Sequence, residues 1–284
     1  MRARSGDPSA LPRTQASLAV TADGSRWVLL NAAPDLRAQI EANSDLHPRP
    51  SCGTIRHSPI AAVVLTGAEV DTIAGLLTMR EHQAFALYAA DATLSVLAAN
   101  PIFRALDPGI VPRRDMPLAL PLPLADAAGV PLGLTVEAFP VPGKVPLFQE
   151  QGGDPGRADM GETIGLRISA DDKELFFIPG CAAMTPALAE RLEGADCVFF
   201  DGTLWRDDEM LLAGAGPKTG ARMGHMSIDG PHGVIAVFRA LGVRRRIFIH
   251  VNNTNPVLLA DSPERAAATA AGWEVAVDGM EVSP

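Results

Sequence analysis

The 284 residues are 47% hydrophobic and 20% charged, enough apolar material for a substantial core, and 1–284 reads as a single domain. A formal net charge of −9 and a pI near 5.1 leave no basic face for phosphates, which argues against nucleic acid as a partner. No run approaches the roughly 18 consecutive apolar residues of a membrane helix, and residues 1–11 have the character of neither signal peptide nor anchor, so no membrane partner is expected and the cytoplasm is the default location.

In chain order, Leu18 to Val20 and Trp27 to Asn31 read as a hairpin around Thr21-Ala-Asp-Gly24. A short helix follows over Pro34 to Ala42, then a strand over Ile60 to Leu65, a helix over Asp71 to His82, a strand over Phe85 to Tyr88 and a helix over Asp91 to Asn100. This β-α alternation is typical of layered α/β domains. Prolines dominate Asp107 to Leu124, which predicts a loop or an edge excursion. Leu134 to Val141 reads as a strand. Residues 152–162 are polar and Gly-rich, a candidate lid or a plain surface loop. Thr163 to Ser169 and Glu174 to Ile178 form a second hairpin around Asp171 to Lys173. The three cysteines, Cys52, Cys181 and Cys197, have no Cys-x-x-Cys spacing, which supports neither a disulfide framework nor a zinc ribbon. Cys197 sits in an apolar run and reads as core. Cys181 reads as structural, with a place in the cleft as the alternative.

The richest stretch runs from Arg244 to Pro256: an apolar β-branched run that exits onto His250, beside Asn252, Asn253 and Asn255. In α/β sheets, strand ends of this kind line the ligand crevice. Two other buried-looking runs end the same way, Cys197 to Asp201 before Gly202-Thr203, and Ala61 to Leu65 before Thr66-Gly-Ala-Glu69-Val-Asp71. Glu69, Asp71, Asp201 and His250 thus offer a hard oxygen and imidazole donor set, suited to iron, manganese or zinc rather than to copper(I) or an iron–sulfur cluster. The competing local readings are a capping box between Thr66 and Glu69, a helix N-terminus that favours Asp71, and a plain turn at Asp201-Gly202. His225 lies between Gly224 and Met226 in a Gly-punctuated segment, where an imidazole can bind metal, move protons as a catalytic group, or simply be solvated. His47, His57, His82 and His232 have no partner at ligand spacing and are expected at the surface.

Several segments together resemble one family: Pro12 to Val20, Leu29 to Asp35, Gly75 to Glu81, Phe200 to Trp205, Asp207 to Met210, Met223 to His225 and His250 to Pro256. They are similar to the PqqB family of pyrroloquinoline quinone biosynthesis, within the metallo-β-lactamase superfamily, from about Pro12 to the C-terminus. The resemblance implies an αββα four-layer sandwich, metallo-β-lactamase-like, with a metal site at the sheet edges. It also implies an Fe(II)-dependent oxygenase that hydroxylates the tyrosine ring of a peptide-derived Glu–Tyr crosslinked precursor. Precursor or PQQ, and other PQQ-pathway proteins, are the partners it suggests.

The chain departs from the family pattern in two places. The usual first strand and Cys-rich segment, which would hold a structural zinc, are absent, so no such zinc is expected in the chain as it begins at Met1. Where the family has Asp-His, this chain reads Asp71-Thr72, and a threonine is a poor metal ligand. The superfamily signature His-x-His-x-Asp-His reads here Gly67-Ala-Glu69-Val-Asp71-Thr72. Two function classes follow: a metal-dependent oxygenase built on Glu69, Asp71, Asp201, His250 and His225, and a non-catalytic binding or carrier protein for PQQ or its precursor. A superfamily hydrolase is the weakest reading, because the histidine signature is missing.

Overall fold

Parallel strands need a crossover between them, and the alternation of apolar runs with helix-forming stretches supplies one for nearly every pair here. The computed structural model describes residues 2–49, 57–150 and 161–284, and within them the chain falls into two units. One unit holds 14–139 with 161–172; the other holds 2–13, 140–150 and 173–284. The divisions after Arg13, Phe139 and Asp172 coincide with no Gly/Ser-rich linker, so nothing in the sequence marks them.

The first unit opens with the expected hairpin, β1 (Leu18–Val20) antiparallel to β2 (Trp27–Leu30), with Leu18 opposite Leu30. Its turn is held by Asp23, whose carboxylate accepts from the backbone N–H groups of Ser25 and Arg26, both at 2.8 Å. Hydrogen bonding from Arg26 leads the influences that hold Asp23 below the usual carboxylate range. From β2 onward the sheet is parallel, through β3 (Ile60–Val64), β4 (Ala86–Ala89) and β5 (Arg113–Asp115), in the order β1-β2-β3-β4-β5. The crossovers carry α1 (Leu36–Ala42), α2 (Val70–Ile73) and α3 (Asp91–Ala99). Leu29, Leu36, Val63, Leu76, Phe85 and Leu97 meet in one buried cluster between them. The proline-rich stretch is an edge excursion: β5 closes this sheet, and β6 (Pro121–Ala125) pairs antiparallel with β7 (Pro131–Pro140), with β8 (Ile164–Ala170) next in the order β8-β7-β6. Residues 151–160, most of the segment read as a candidate lid, lie outside the described residues.

Two local expectations change in this unit. The helix expected over Asp71 to His82 is α-helical only over Val70–Ile73 and then tightens to a 3₁₀ turn over Ala74–Met79. The cause is competition for backbone groups. Thr72 gives its carbonyl to the Ala32 N–H at 2.8 Å, and the Gly75 N–H donates to the Ala32 carbonyl at 2.8 Å, so neither serves an α-helical ladder. The capping box is also absent. Glu69 occupies the N-cap position without a side-chain cap bond, and Thr66 is engaged instead with Asn31, whose amide donates to its hydroxyl at 2.9 Å.

The second unit is built on four parallel strands in the order β12-β11-β10-β9: β9 (Lys173–Ile178), β10 (Cys197–Asp201), β11 (Arg245–Ile249) and β12 (Trp273–Val275). Between β9 and β10 runs α4 (Pro186–Leu192), with Thr185 as its capping acceptor and Pro186 in its first turn. The long β10 to β11 connection holds three one-turn helices, α5 (Glu209–Leu212), α6 (Gly220–Met223) and α7 (Val234–Val237). Before β12 comes α8 (Pro263–Ala270), capped by Ser262. Phe238 packs edge-on against Phe200 and Trp273, and Trp273 stacks on Phe248 at 3.9 Å between ring centroids. These aromatic contacts fix β10, β11 and β12 as one slab and therefore set where their C-terminal ends fall. Cys181 and Cys197 are both fully buried, and burial pushes their thiols up to about 12 and about 11, as expected of structural cysteines. His47, His82 and His232 are exposed, whereas His57 is half-buried and its Nδ1 accepts from the Arg49 backbone at 3.0 Å, a correction to its surface assignment.

Gly75 gives the sharpest test of this packing. A Cβ there would lie 2.1 Å from the Ala33 carbonyl oxygen, with backbone rather than a flexible side chain in the way. Gly75→Ala should cost about 3 kcal/mol, the upper end for overpacking. Gly216→Ala, whose Cβ would meet only the Met210 methyl at 3.6 Å, should stay within about 0.5 kcal/mol of the parent. Denaturant midpoints of the two variants check the contrast, and equal values would show that the Gly75 approach is not tight in solution.

Candidate metal centre

The ends of β9, β10 and β11 are aligned by their parallel register, with Phe200 opposite Ile178 and Asp201 opposite Ile249. The chain leaves these ends at Cys181, Asp201 and His250, so three adjacent strands deliver polar groups to one edge. Asp201 is fully buried. Its Oδ1 accepts from the Thr203 backbone N–H at 3.0 Å and from the Thr203 hydroxyl at 2.6 Å, and its Oδ2 accepts from the Cys181 N–H at 2.9 Å. His225 Nδ1 lies 2.6 Å from Oδ2. Burial is the largest single influence on this carboxyl and favours the neutral form. The His225 and His250 imidazoles and the hydrogen bond from Thr203 outweigh it and hold the carboxyl below the usual range. An ionised carboxylate only accepts, so His225 Nδ1 carries a proton toward Asp201, and Nε2 is the ring nitrogen left for other partners.

Each histidine is placed by local backbone chemistry. His225 follows α6, which Thr219 caps by accepting from the Arg222 N–H at 3.2 Å and which Asp207 steadies by accepting from the Ala221 N–H at 2.7 Å. The helix ends at Gly224 in the left-handed region, φ +84, which reverses the chain so that the Met226 N–H reaches the Cys181 carbonyl at 2.8 Å. That bond ties His225 to the β9 exit beside Asp201. His250 itself adopts φ +57, an uncommon conformation for a side chain with a Cβ and one often met at functional sites. The Thr203 hydroxyl contacts His250 Nδ1 at 2.9 Å. Its single proton goes to the charged Asp201 oxygen, so His250 Nδ1 is the donor of that contact.

The asparagines after His250 serve the scaffold. Asn255 is buried, donates to the Gly202 carbonyl at 2.9 Å and accepts from the Val257 N–H at 3.0 Å, while the Asn252 N–H donates to the Thr203 carbonyl at 3.0 Å. Glu209, also buried, accepts from the Trp205 N–H at 2.7 Å and the Thr254 hydroxyl at 2.5 Å, which fastens α5 to the same loop. Burial leads the influences on its carboxyl and raises it.

Among the described residues, Asp201, His225 and His250 form a group whose ligand atoms, one carboxylate oxygen and one ring nitrogen from each histidine, lie within 4.8 Å of one another. The rings of His225 and His250 stack with centroids 5.3 Å apart. The structure thus brings together three of the five residues singled out in the sequence. Glu69 and Asp71 lie in the other unit, Glu69 extended before α2 and Asp71 in its first turn. Thr203 belongs to the centre as well, although the sequence shows it only as the end of an Asp201-Gly202-Thr203 turn. Its role shows once Asp201, His225 and His250 all fall within reach of one hydroxyl, a convergence no local spacing reveals.

Residues 26–251 match the family described as the beta-lactamase superfamily domain, and the chain is a member of that superfamily. More narrowly, it belongs to the coenzyme PQQ synthesis protein B family. A protein of that description from Gluconacetobacter diazotrophicus is 57% identical over 99% of this chain and 91% of its own length. Another, from Xanthomonas euvesicatoria pv. vesicatoria, is 56% identical over 100% of this chain and 92% of its own. Among solved structures, that of Zn²⁺-bound PqqB from Methylobacterium extorquens matches with a TM-score of 0.93 and 47% identity, covering 100% of this chain and 92% of that one. The metallo-β-lactamase fold expected from the sequence is therefore the fold of the chain.

Thr203→Val keeps the size of the side chain and removes the hydroxyl shared by Asp201 and His250. Its affinity for Zn²⁺ or Fe(II) should fall by about 10- to 100-fold, the usual effect of losing a group that orients ligands, with far-UV circular dichroism unchanged. Affinity equal to that of the parent would remove Thr203 from the centre.

Proposed function

We propose that this protein acts in pyrroloquinoline quinone biosynthesis as an iron-dependent oxygenase that hydroxylates the tyrosine ring of the Glu–Tyr crosslinked precursor, in the cytoplasm. The pathway is supported by the relatives, named coenzyme PQQ synthesis protein B at 56–57% identity. Metal binding is supported by the zinc-bound structure of a relative. The reaction class rests on one observation: a buried, ionised carboxylate and two imidazoles converge at the sheet edge. Two histidines and one carboxylate with open positions are the donor set of non-haem Fe(II) oxygenases.

Asp201, His225 and His250 would hold the iron, and Glu69 and Asp71 are proposed as further oxygen donors. Iron bound there would supply activation of molecular oxygen. The protein's own groups do the rest. The Thr203 hydroxyl and the Cys181 N–H hold Asp201 in one orientation, so no reorganisation is needed when charge changes nearby. His225 carries a proton at Nδ1 against Asp201, and at 16% side-chain exposure its ring reaches solvent, with which it can exchange a proton.

Iron content and oxygen uptake with the precursor, measured on the same preparations, test the reading. Asp201→Ala and His250→Ala should both lose iron and activity, and Asp71→Ala should lower iron content if its carboxylate is a donor. His225→Gln should lose iron with turnover if it is a ligand. If it moves protons, iron stays and turnover falls by roughly 100-fold or more. Stoichiometric precursor binding by the iron-loaded parent without oxygen uptake would replace the oxygenase with the carrier reading.

A further inference from the structure

A guanidinium keeps its proton in a protein, so one that is drawn out of water needs an anion beside it. Arg13, which ends the segment 2–13, and Arg265, in the first turn of α8, are both half-buried. Neither forms an ion pair with a carboxylate among the described residues. Burial leads the influences on both and opposes their charge. Asp278 offsets part of it at Arg13 through space, whereas the second influence on Arg265 is the repulsion of Arg13 itself. Two like charges are therefore held near each other without the counter-charge that burial calls for.

Backbone carbonyls fix both groups. Arg13 Nε donates to the Ala276 carbonyl at 2.9 Å and its Nη1 to that of Leu11 at 3.0 Å, while Arg265 Nε donates to the Val257 carbonyl at 2.7 Å. Arg265 Nη2 is buried and has no hydrogen-bond partner, a costly state for a charged donor. Two of these anchors belong to the edge that carries the metal centre, in the same unit. Ala276 follows β12, and its N–H donates to the Phe248 carbonyl at 3.0 Å, two residues before His250. The Val257 N–H donates to Asn255 Oδ1, and the Asn255 amide holds the Gly202 carbonyl next to Asp201. Neighbouring strand exits thus carry Asp201, His250 and the anchor of Arg13.

We propose that Arg13 and Arg265 form a carboxylate-binding site at the exit of β12, on the edge that carries the metal centre, for an acidic small molecule. The class follows from the donors that remain. They are the outer edges of two planar guanidiniums, which match the two oxygens of a planar carboxylate. Phosphate sites ordinarily add backbone N–H groups, and those nearby are engaged: the Arg265 N–H donates to the Ser262 hydroxyl and the Ala276 N–H to Phe248. That the ligand is the substrate rests on the reading of the centre as a site for a carboxylate-bearing precursor; the binding itself does not.

Calorimetric titration of the full chain with benzene-1,3-dicarboxylate, at fixed ionic strength, tests the site. Arg13→Gln and Arg265→Gln should each weaken binding by about tenfold or more. Arg13→Lys and Arg265→Lys, which keep the charge but lose the planar fork, should weaken it less, by about threefold. No binding by the parent, or parental affinity in both Gln variants, would make the two arginines a structural clamp and overturn the proposal. Should the Gln variants not fold, the Lys variants decide, because parental affinity in both overturns it equally. Inorganic phosphate that competes as well as the dicarboxylate would overturn the carboxylate assignment. Affinity should be the same with and without one equivalent of Zn²⁺, so a failure of the metal reading leaves the result standing; binding seen only with the ion would put the carboxylate on the metal and overturn the site.

Discussion

The carboxylate of Asp201 is the constraint on which the centre depends. A fully buried charge is costly unless its oxygens are satisfied, and here two backbone N–H groups, one hydroxyl and one imidazole satisfy them. Those four donors come from three pieces of chain: the exit of β9, the turn after β10, where Thr203 supplies two of them, and the segment after α6. To ionise Asp201 is therefore to bring these pieces together, and His250 joins them through the Thr203 hydroxyl. Loss of one partner of such a buried pair typically costs about 3–5 kcal/mol, so fold and site stand on the same contacts.

Two layers of support surround that carboxylate. Asn255, Asn252 and Glu209 lock the loops after β10 and β11 to one another, which leaves His250 little freedom despite its left-handed backbone. On the other side, Gly224 and the Lys144 segment pack against each other, which supports the turn that precedes His225. His225 and two of the ion-pair partners of Glu150, Lys218 and Arg222, thus share one short stretch, residues 218–225.

Much of this was legible in the sequence because it follows from local pattern. An apolar run that ends on a polar residue announces a strand exit, and Asp201 and His250 stood at two of them; the glycine before His225 marked a chain reversal. What stayed hidden was non-local. The α2 helix breaks into a 3₁₀ turn because Thr72 and Gly75 spend their backbone groups on Ala32, some forty residues away in sequence. Thr66 fits a capping box but bonds Asn31 across 35 positions. Glu150 meets Lys218 and Arg222 across 68 and 72 positions, and no periodicity reports such a meeting. The signal for Thr203 was the short Asp-Gly-Thr turn alone, whose hydroxyl gains meaning only when three strand ends are aligned.

The most direct test of the centre is X-ray absorption at the iron K-edge on protein loaded with one equivalent of Fe(II). Imidazole rings leave a characteristic multiple-scattering pattern, and the account predicts two of them in the parent, a signal lost with the bound iron in His250→Ala. A spectrum without imidazole scattering, or one unchanged by that substitution, would place the metal elsewhere and contradict the assignment of Asp201, His225 and His250.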